Sequence, residues 1–159
     1  MPRVSRVRIA ILYWLPAALW MVLIFSASTD AMSAPHTSRF TGPILHWLFP
    51  GIDENTVGLI QVGIRKTAHL TEYAILAWLL WRALWIPVPG DRRPWNRKVA
   101  YQAIALAAAY AATDEFHQSF VPSRGASPVD VLIDTAGAVI GIYLVHRWHA
   151  WRQRRLATR

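Results

Sequence analysis

Four long apolar stretches, separated by polar linkers, dominate the pattern of the chain. They cover about residues 9–27, 67–86, 99–116 and 129–148. Each is close to the ~20 residues that an α-helix needs to cross a bilayer. Only helices and closed barrels satisfy the backbone in lipid, and the alternating pattern of a barrel is missing. The pattern therefore predicts an all-α, polytopic membrane protein, a bundle of four transmembrane helices in a single domain, 1–159.

The linker at 28–54 is the longest polar stretch, yet it carries a set of apolar residues. Such a segment is typical of a short helix lying in the membrane interface, and a lid over the mouth of the bundle fits equally well. Asp53 has the side chain of an N-cap, which predicts a helix over about 54–86 whose first turns are interfacial. The apolar residues of the linker are Phe40, Ile44, Leu45, Trp47, Leu48 and Phe49.

The Lys and Arg residues, which give the chain a formal net charge of +8, are unevenly distributed. They precede the first span, fill the turn at 87–98 and follow the fourth span, whereas the other two linkers hold few. Cytoplasmic segments of membrane proteins carry this excess of positive charge. We therefore predict that both termini are cytoplasmic, that the 28–66 and 118–128 loops are external, and that 147–159 is a basic cytoplasmic tail. The inner basic residues are Arg3, Arg6, Arg8, Arg92, Arg93, Arg97, Lys98, Arg147, Arg152, Arg154, Arg155 and Arg159.

Both ends of the chain have a second interpretation. A basic tail can bind nucleic acid, but a tail that follows a membrane span is better explained by anionic lipid headgroups, so no nucleic-acid partner is predicted. The small residues at 26–28 resemble a signal-peptide cleavage site, although the apolar run before them is longer than the usual length of about 7 to 15 residues. The absence of cysteine excludes disulfides and thiol chemistry.

Small residues predict a close helix contact in the second half of the chain. The third span is rich in alanine from Ala100 to Ala112, and the fourth carries Gly137 and Gly141 four residues apart. Small residues at this spacing let helix backbones approach closely in lipid. Because the connection at 118–128 is short, we expect the third and fourth spans to form a tight antiparallel hairpin.

Ionisable side chains lie in or at the ends of three of the apolar stretches. A charged group near the bilayer centre costs about 2.5 to 3.5 kcal/mol, so such residues mark a functional site by default. On helices they form one polar stripe per span, at matching depth, so we predict that they converge near the external face. The stripes are Lys66, His69, Glu72 and Tyr73; Tyr110, Asp114, His117 and Gln118; and Asp130, Asp134, Gly137 and Gly141.

Several of these residues also have structural interpretations. Asp114 and Glu115 lie near the negative end of the third helix, which predicts compensation by Lys66 or Arg124. Lys66 can instead extend to the interface, and His69 and Glu72 can bind helices together. Residues 127–130, with a proline at the first helical position, match a capping box. In that structural interpretation the Asp130 side chain caps the start of the fourth helix.

The same residues are the candidates for chemistry. We assign His69, Glu72, Asp114 and His117 as candidate acids and bases. The His-x-x-Glu and Asp-x-x-His spacings are a weak metal signal without a His-Glu-x-x-His motif, so no metal or cofactor is predicted. No nucleophile with an adjacent base is recognisable, which leaves enzymatic activity open. The candidate ligand-binding residues are Lys66, Arg124, Tyr73, Glu115, Gln118, Asp130 and Asp134.

Two ordered blocks of residues resemble a known family. Lys66-Thr-Ala-His69-Leu-Thr-Glu72-Tyr73 resembles the K-x-x-H-x-x-E-Y signature of the VanZ-like family. The Asp114-Glu115-Phe-His117-Gln118 segment, Pro122-Ser-Arg124 and the Asp130 to Gly137 segment are similar to its second block, and Phe25-Ser26-Ala-Ser28 to its serine segment. The resemblance covers about residues 20–145; at Asp134 family members often have Asn.

The resemblance implies a small multi-pass protein of the bacterial cytoplasmic (inner) membrane, linked to the cell envelope and to teicoplanin resistance. Two classes of function stay open. The first is an external polar pocket that binds or modifies a lipid-linked, anionic cell-wall component, with membrane lipids or that component as partner. The second is a non-enzymatic module for transport, proton relay or assembly. A continuous polar path to the cytoplasmic side would favour transport.

Overall fold

The computed structural model describes residues 6–29, 34–86, 91–122 and 124–157, and this part of the chain is helical with no strand. The all-α prediction is therefore confirmed. The predicted turn residues Pro87, Pro89 and Gly90, and the basic residues Arg3 and Arg159, lie outside the described residues. The elements are α1 (Arg6–Ile9), a π-helical segment (Ala10–Trp14), α2 (Leu15–Ala27), α3 (Ala34–Leu48), α4 (Glu54–Trp85), α5 (Arg97–Gln118) and α6 (Pro128–Ala157).

Side-chain caps determine where α4 and α5 begin. Asp53 accepts a hydrogen bond of 3.0 Å from the backbone N–H of Thr56, as the sequence predicts. The hydroxyl of Thr56 also donates to Asp53, and these bonds lower the pKa of the Asp53 carboxyl. Asn96 caps α5 by accepting from the N–H of Lys98 at 3.0 Å.

The glycines of α6 pack against α4, and not against α5 as the sequence analysis predicts. A Cβ atom added to Gly137 would collide with the backbone carbonyl of Leu70, and one added to Gly141 with that of Ala74. The closest helix contact therefore joins the second and fourth long helices. Helix α5 packs beside this pair through a stripe of small residues, Ala103, Ala107 and Ala111, which are fully buried.

Helix α2 is held to the other helices by two long side chains. The indole of Trp20 donates to the backbone carbonyl of Glu72 at 2.9 Å, and the hydroxyl of Tyr110 donates to that of Met21 at 2.6 Å. These bonds place the C-terminal end of α2 beside the middle of α4 and the last turns of α5. That arrangement brings residues 27–29 to the polar part of the molecule.

Helix α3 lies across the first turns of α4. Ser38 donates to the side-chain oxygen of Gln61 at 2.9 Å, and His46 lies 3.0 Å from Glu54. The apolar residues of α3 point the other way: Phe40, Ile44, Trp47 and Leu48, at i, i+4, i+7 and i+8, are all exposed. The helix is amphipathic, with its polar face toward the rest of the protein.

Within the described residues, two helices are long and apolar enough to cross a membrane, Val7–Ala27 and Pro128–Ala157. Helices α4 and α5 have 32 and 22 residues, lengths of about 48 and 33 Å at 1.5 Å per residue, but both carry several charged side chains. The described surface is largely apolar, since Leu19, Leu106 and Leu132 are exposed whereas Asp114 and Asp134 are buried. Fully buried carboxylates together with many exposed large apolar side chains are unusual in a soluble protein.

At the end of the bundle away from α3, aromatic side chains surround a buried carboxylate. Asp91 accepts hydrogen bonds from the indole of Trp85 at 3.0 Å and from the side chain of Arg93 at 2.6 Å. The Arg93 guanidinium also lies over the Trp85 ring, 4.3 Å from its centroid, and donates to the last carbonyls of α4. The Arg93 guanidinium holds the pKa of Asp91 well below its usual range.

Candidate functional site

A cavity of about 200 Å³ lies between the end of α2, the polar face of α3, one face of α4 and the loop before α6. Its α4 residues recur at the helical period, because positions 61, 65, 68 and 72 fall on one side of the helix. Below, "the cavity" means the space lined by Ala27, Ser28, Thr37, Thr41, Gln61, Ile64, Arg65, Ala68, His69, Glu72 and Arg124.

Ser28, just after α2, makes a buried hydrogen-bonded triad with two residues of α5. Its hydroxyl donates to Asp114 Oδ2 at 2.7 Å, and the Gln118 amide donates to the same oxygen at 3.1 Å and to Ser28 Oγ at 3.3 Å. The three residues are only 2 to 4% exposed. Asp114 therefore receives hydroxyl and amide donors, and not the Lys66 or Arg124 cation that the sequence analysis expects.

Arg124 closes the cavity at the end of α2. Its guanidinium donates to the backbone carbonyls of Ala27 and Thr29, on either side of Ser28. Terminal helix carbonyls lack intrahelical donors and carry partial negative charge, so a cation is favourable there. Burial, and then the positive charge of Arg65, lower the pKa of Arg124.

Arg65 and Ser28 line the cavity but are missing from the site residues predicted from the sequence. Arg65 lines the cavity with Arg124, and its buried Nε atom has no hydrogen-bond partner. The signal was available, because Arg65 lies four residues before His69 and seven before Glu72 on one helix face. The adjacent Lys66, one step around the helix, points elsewhere.

His69 is backed by a buried carboxylate. Its Nδ1 atom lies 3.3 Å from Asp134 Oδ1, and the Asp134 side chain is fully buried. Neither atom has a hydrogen bond of good geometry, so the two groups are in close polar contact without a well-formed bond. A carboxylate against one ring nitrogen restrains the orientation of an imidazole. His69 and Glu72 thus face the same cavity from adjacent turns of α4.

Three predicted ligand-binding residues form contacts away from the cavity. Lys66 pairs with Asp130 at 2.8 Å and lines a separate cavity of about 40 Å³. Glu115 accepts a 2.9 Å hydrogen bond from the backbone N–H of Ser127. No ion pair joins Lys66 or Arg124 to Asp114 or Glu115 in the described chain, so the predicted cation network is wrong.

The capping box predicted at the start of α6 is half correct. The hydroxyl of Ser127 does accept from the N–H of Val129, at 3.2 Å. The reciprocal bond is made by Glu115, however, because Asp130 is engaged by Lys66. The start of α6 is therefore fastened to α5 rather than closed on itself.

The remaining candidates lie behind or beside the cavity. Tyr73 is fully buried next to Tyr110, with ring centroids 6.4 Å apart, and its hydroxyl has no hydrogen-bond partner. His117 packs on the ring of Phe25 at 4.2 Å and does not line the cavity. Within the described ranges, no group of three or more His, Asp or Glu residues is arranged to hold a metal ion.

These features define an all-helical protein with apolar helices compatible with membrane spans and a buried polar site. A family model described as VanZ/LLP1 matches residues 13–149, which is most of the chain. The chain therefore belongs to the VanZ/LLP1 family. No curated protein and no solved structure matches it.

Proposed function

We propose that this VanZ/LLP1 protein is an integral membrane protein of the cell envelope whose cavity binds the phosphate headgroup of a lipid-linked, anionic cell-wall component. The observation that carries the proposal is the presence of two arginines, Arg65 and Arg124, in one small, partly buried cavity. Two guanidinium groups in one cavity repel each other, and an anion between them removes that cost. Arginine matches phosphate in a bidentate geometry, which makes phosphate the preferred anion.

The proposed membrane position places the cavity at headgroup level. We infer that α4 and α5 span the bilayer together with the two apolar helices, because their charged residues are turned inward or toward the helix ends. The apolar face of α3, with Phe40 and Trp47 exposed by 73% and 79%, would lie in the interface. The opposite face of α3, through Thr37 and Thr41, forms one wall of the cavity.

The apolar core favours binding over transport. Beyond Tyr73, the helices meet through residues such as Leu76, Ala107 and Ile142, which are buried and apolar. A transported ion or proton needs polar partners along its route. Along this stretch the described core is mainly apolar, and the buried indole N–H of Trp81 is a donor that can neither accept a proton nor ligate a cation. This favours a binding pocket over a conducting path.

A binding measurement tests the proposal. The purified full-length protein, in lipid nanodiscs, is titrated with a fluorescent polyprenyl monophosphate and with the corresponding polyprenol. We expect saturable binding of the phosphate and little of the alcohol. Arg65→Gln should weaken binding at least tenfold, whereas Lys66→Gln, which removes the same charge one residue away, should change it less than threefold. Equal affinity for both lipids, or equal effects of both variants, would contradict the proposal.

A cellular measurement tests the envelope role. We propose that the cavity engages the phosphate of lipid-linked precursors in the external leaflet, and that expression of the protein therefore raises teicoplanin tolerance. His69→Ala and Glu72→Gln, which alter the cavity, should lose this effect at near-normal membrane abundance. Arg82→Gln should retain it, because Arg82 packs over Tyr13 near the other end of α4. Loss of tolerance only in proportion to loss of protein would show a structural role.

A further inference from the structure

Ser28 combines three properties that the proposed binding role does not require. Its hydroxyl lies 2.7 Å from a carboxylate oxygen, it is 3% exposed, and it lines the cavity. Resting on the proposed function, we propose that Ser28 is a nucleophile that takes the phosphoryl group from a lipid phosphate monoester held in the cavity. The protein would then be a membrane phosphatase rather than a binding protein alone.

Asp114 is placed to activate Ser28. A serine hydroxyl is a weak nucleophile and needs an adjacent base to accept its proton. Asp114 Oδ2 is that acceptor, and its other oxygen, Oδ1, is buried without a hydrogen-bond partner. Gln118 donates to both Ser28 Oγ and Asp114 Oδ2, so it acts as a positioning residue that fixes the distance between them.

The arginines place the phosphorus near this hydroxyl. Arg124 donates to the carbonyls of residues 27 and 29, so its guanidinium lies directly beside residue 28. Arg65 lines the same cavity, which makes a second donor available for the phosphate oxygens. Positive groups around a transferring phosphoryl group stabilise the charge on its oxygens in the transition state.

The reaction balances with water as the second reactant. Ser28 Oγ forms a bond to phosphorus, its proton passes to Asp114, and the bond from phosphorus to the lipid oxygen breaks. The lipid oxygen leaves as an alcohol after taking a proton from Glu72 or His69, which line the cavity. Water then attacks the phosphoserine and gives a proton back to the same Glu72 or His69. The bond from phosphorus to Ser28 Oγ breaks, orthophosphate is released, and the serine hydroxyl regains its proton from Asp114.

Ser26 supplies a matched control. It lies two residues away at the end of α2, but its hydroxyl is exposed and bonds to the carbonyl of Val22 at 2.8 Å. Ser26→Ala therefore removes the same group from the same helix end without touching the cavity. Ser28→Ala and Asp114→Asn remove the proposed nucleophile and base.

The test measures two quantities on the same nanodisc samples with polyprenyl monophosphate. The first is release of orthophosphate; the second is phosphoserine at residue 28, found by peptide mass spectrometry after acid quenching. We expect turnover in the parent and in Ser26→Ala, and a loss of at least 100-fold in Ser28→Ala and Asp114→Asn. The Ser28→Ala protein should still bind the lipid, since both arginines remain.

Different outcomes separate this inference from the binding proposal. Lipid binding by the parent without orthophosphate release or phosphoserine would overturn the nucleophile and leave the binding role standing. Equal turnover in Ser28→Ala and the parent would do the same. If the parent does not bind the lipid phosphate at all, both proposals fail.

Discussion

At the scale of single residues, Asp91 makes the densest set of hydrogen bonds in the described chain. It accepts from the indole of Trp85 and from both the backbone and the side chain of Arg93. Through Arg93 it also secures the C-terminal carbonyls of α4, where Ile86 adopts a left-handed conformation with φ of 46°. One ionised carboxylate thus fixes the way the chain leaves α4.

We predict that Asp91→Asn lowers the thermal unfolding midpoint of the detergent-solubilised protein at neutral pH. The pKa of Asp91 is lowered in the folded state, so its ionised form favours folding above the unfolded pKa of about 3.9. That contribution is lost as the pH falls through the lower folded-state pKa. The difference between parent and variant should therefore be large at pH 7 and should shrink below pH 4.

Arg92→Gln is the control for this prediction. Arg92 is exposed beside Arg93, so its replacement should leave the midpoint unchanged at every pH. A constant difference between Asp91→Asn and the parent from pH 7 to pH 3 would show that the ion pair is not responsible.

The residue scale also shows what the sequence could not predict. Helical period alone places His69 and Glu72 on one face of α4, and both do line the cavity. Period does not say which cation pairs with which anion, because that choice depends on distances between helices. Lys66 pairs with Asp130. Asp114 is bound by Ser28, which the sequence analysis does not count among the site residues.

At the scale of helices, the contact between α4 and α6 depends on two glycines. We predict that Gly141→Ala destabilises the protein by roughly 1 to 3 kcal/mol, the usual cost of overpacking. The added methyl group would meet the backbone carbonyl of Ala74, which has no freedom to move aside. The measurement is the shift of the thermal unfolding midpoint, followed by tryptophan fluorescence.

Gly58→Ala on α4 is the matched control. A Cβ atom at Gly58 meets nothing within 4 Å, so the substitution should be neutral or slightly stabilising, by the ~1 kcal/mol by which alanine exceeds glycine in a helix. Destabilisation of equal size at both positions would show that the close approach of α4 and α6 is not what Gly141 provides.

Helix boundaries were predictable, but the helix that receives the glycine face of α6 was not. The start of α4 follows from Asp53, a local signal that the structure confirms. The hairpin of the third and fourth spans was inferred from loop length, but loop length limits only how far apart the two helix ends can lie. It does not decide which helix receives the glycine face, and Gly137 contacts Leu70 instead.

At the scale of the whole molecule, the proposed topology depends on the asymmetry of positive charge. We predict that a reporter that works only in the cytoplasm is active when fused after residue 159. A reporter that works only in the external compartment should be active when inserted at Gly51. Gly51 is exposed between α3 and α4, where an insertion disturbs little packing. If the externally active reporter works at the C-terminus, the predicted topology is wrong and the cavity faces the cytoplasm.

The contact of α6 with α4 has a consequence for biosynthesis. Asp130 and Asp134 belong to α6, so Lys66 and His69 of α4 have no carboxylate partners until α6 has been synthesised. A product that ends before α6 would lack these two carboxylates, so the charge of Lys66 and the polar ring of His69 would meet lipid uncompensated. For the same reason, two fragments divided in the loop before α6 should each lack a complete cavity. The cavity should form only when the two fragments associate in the bilayer.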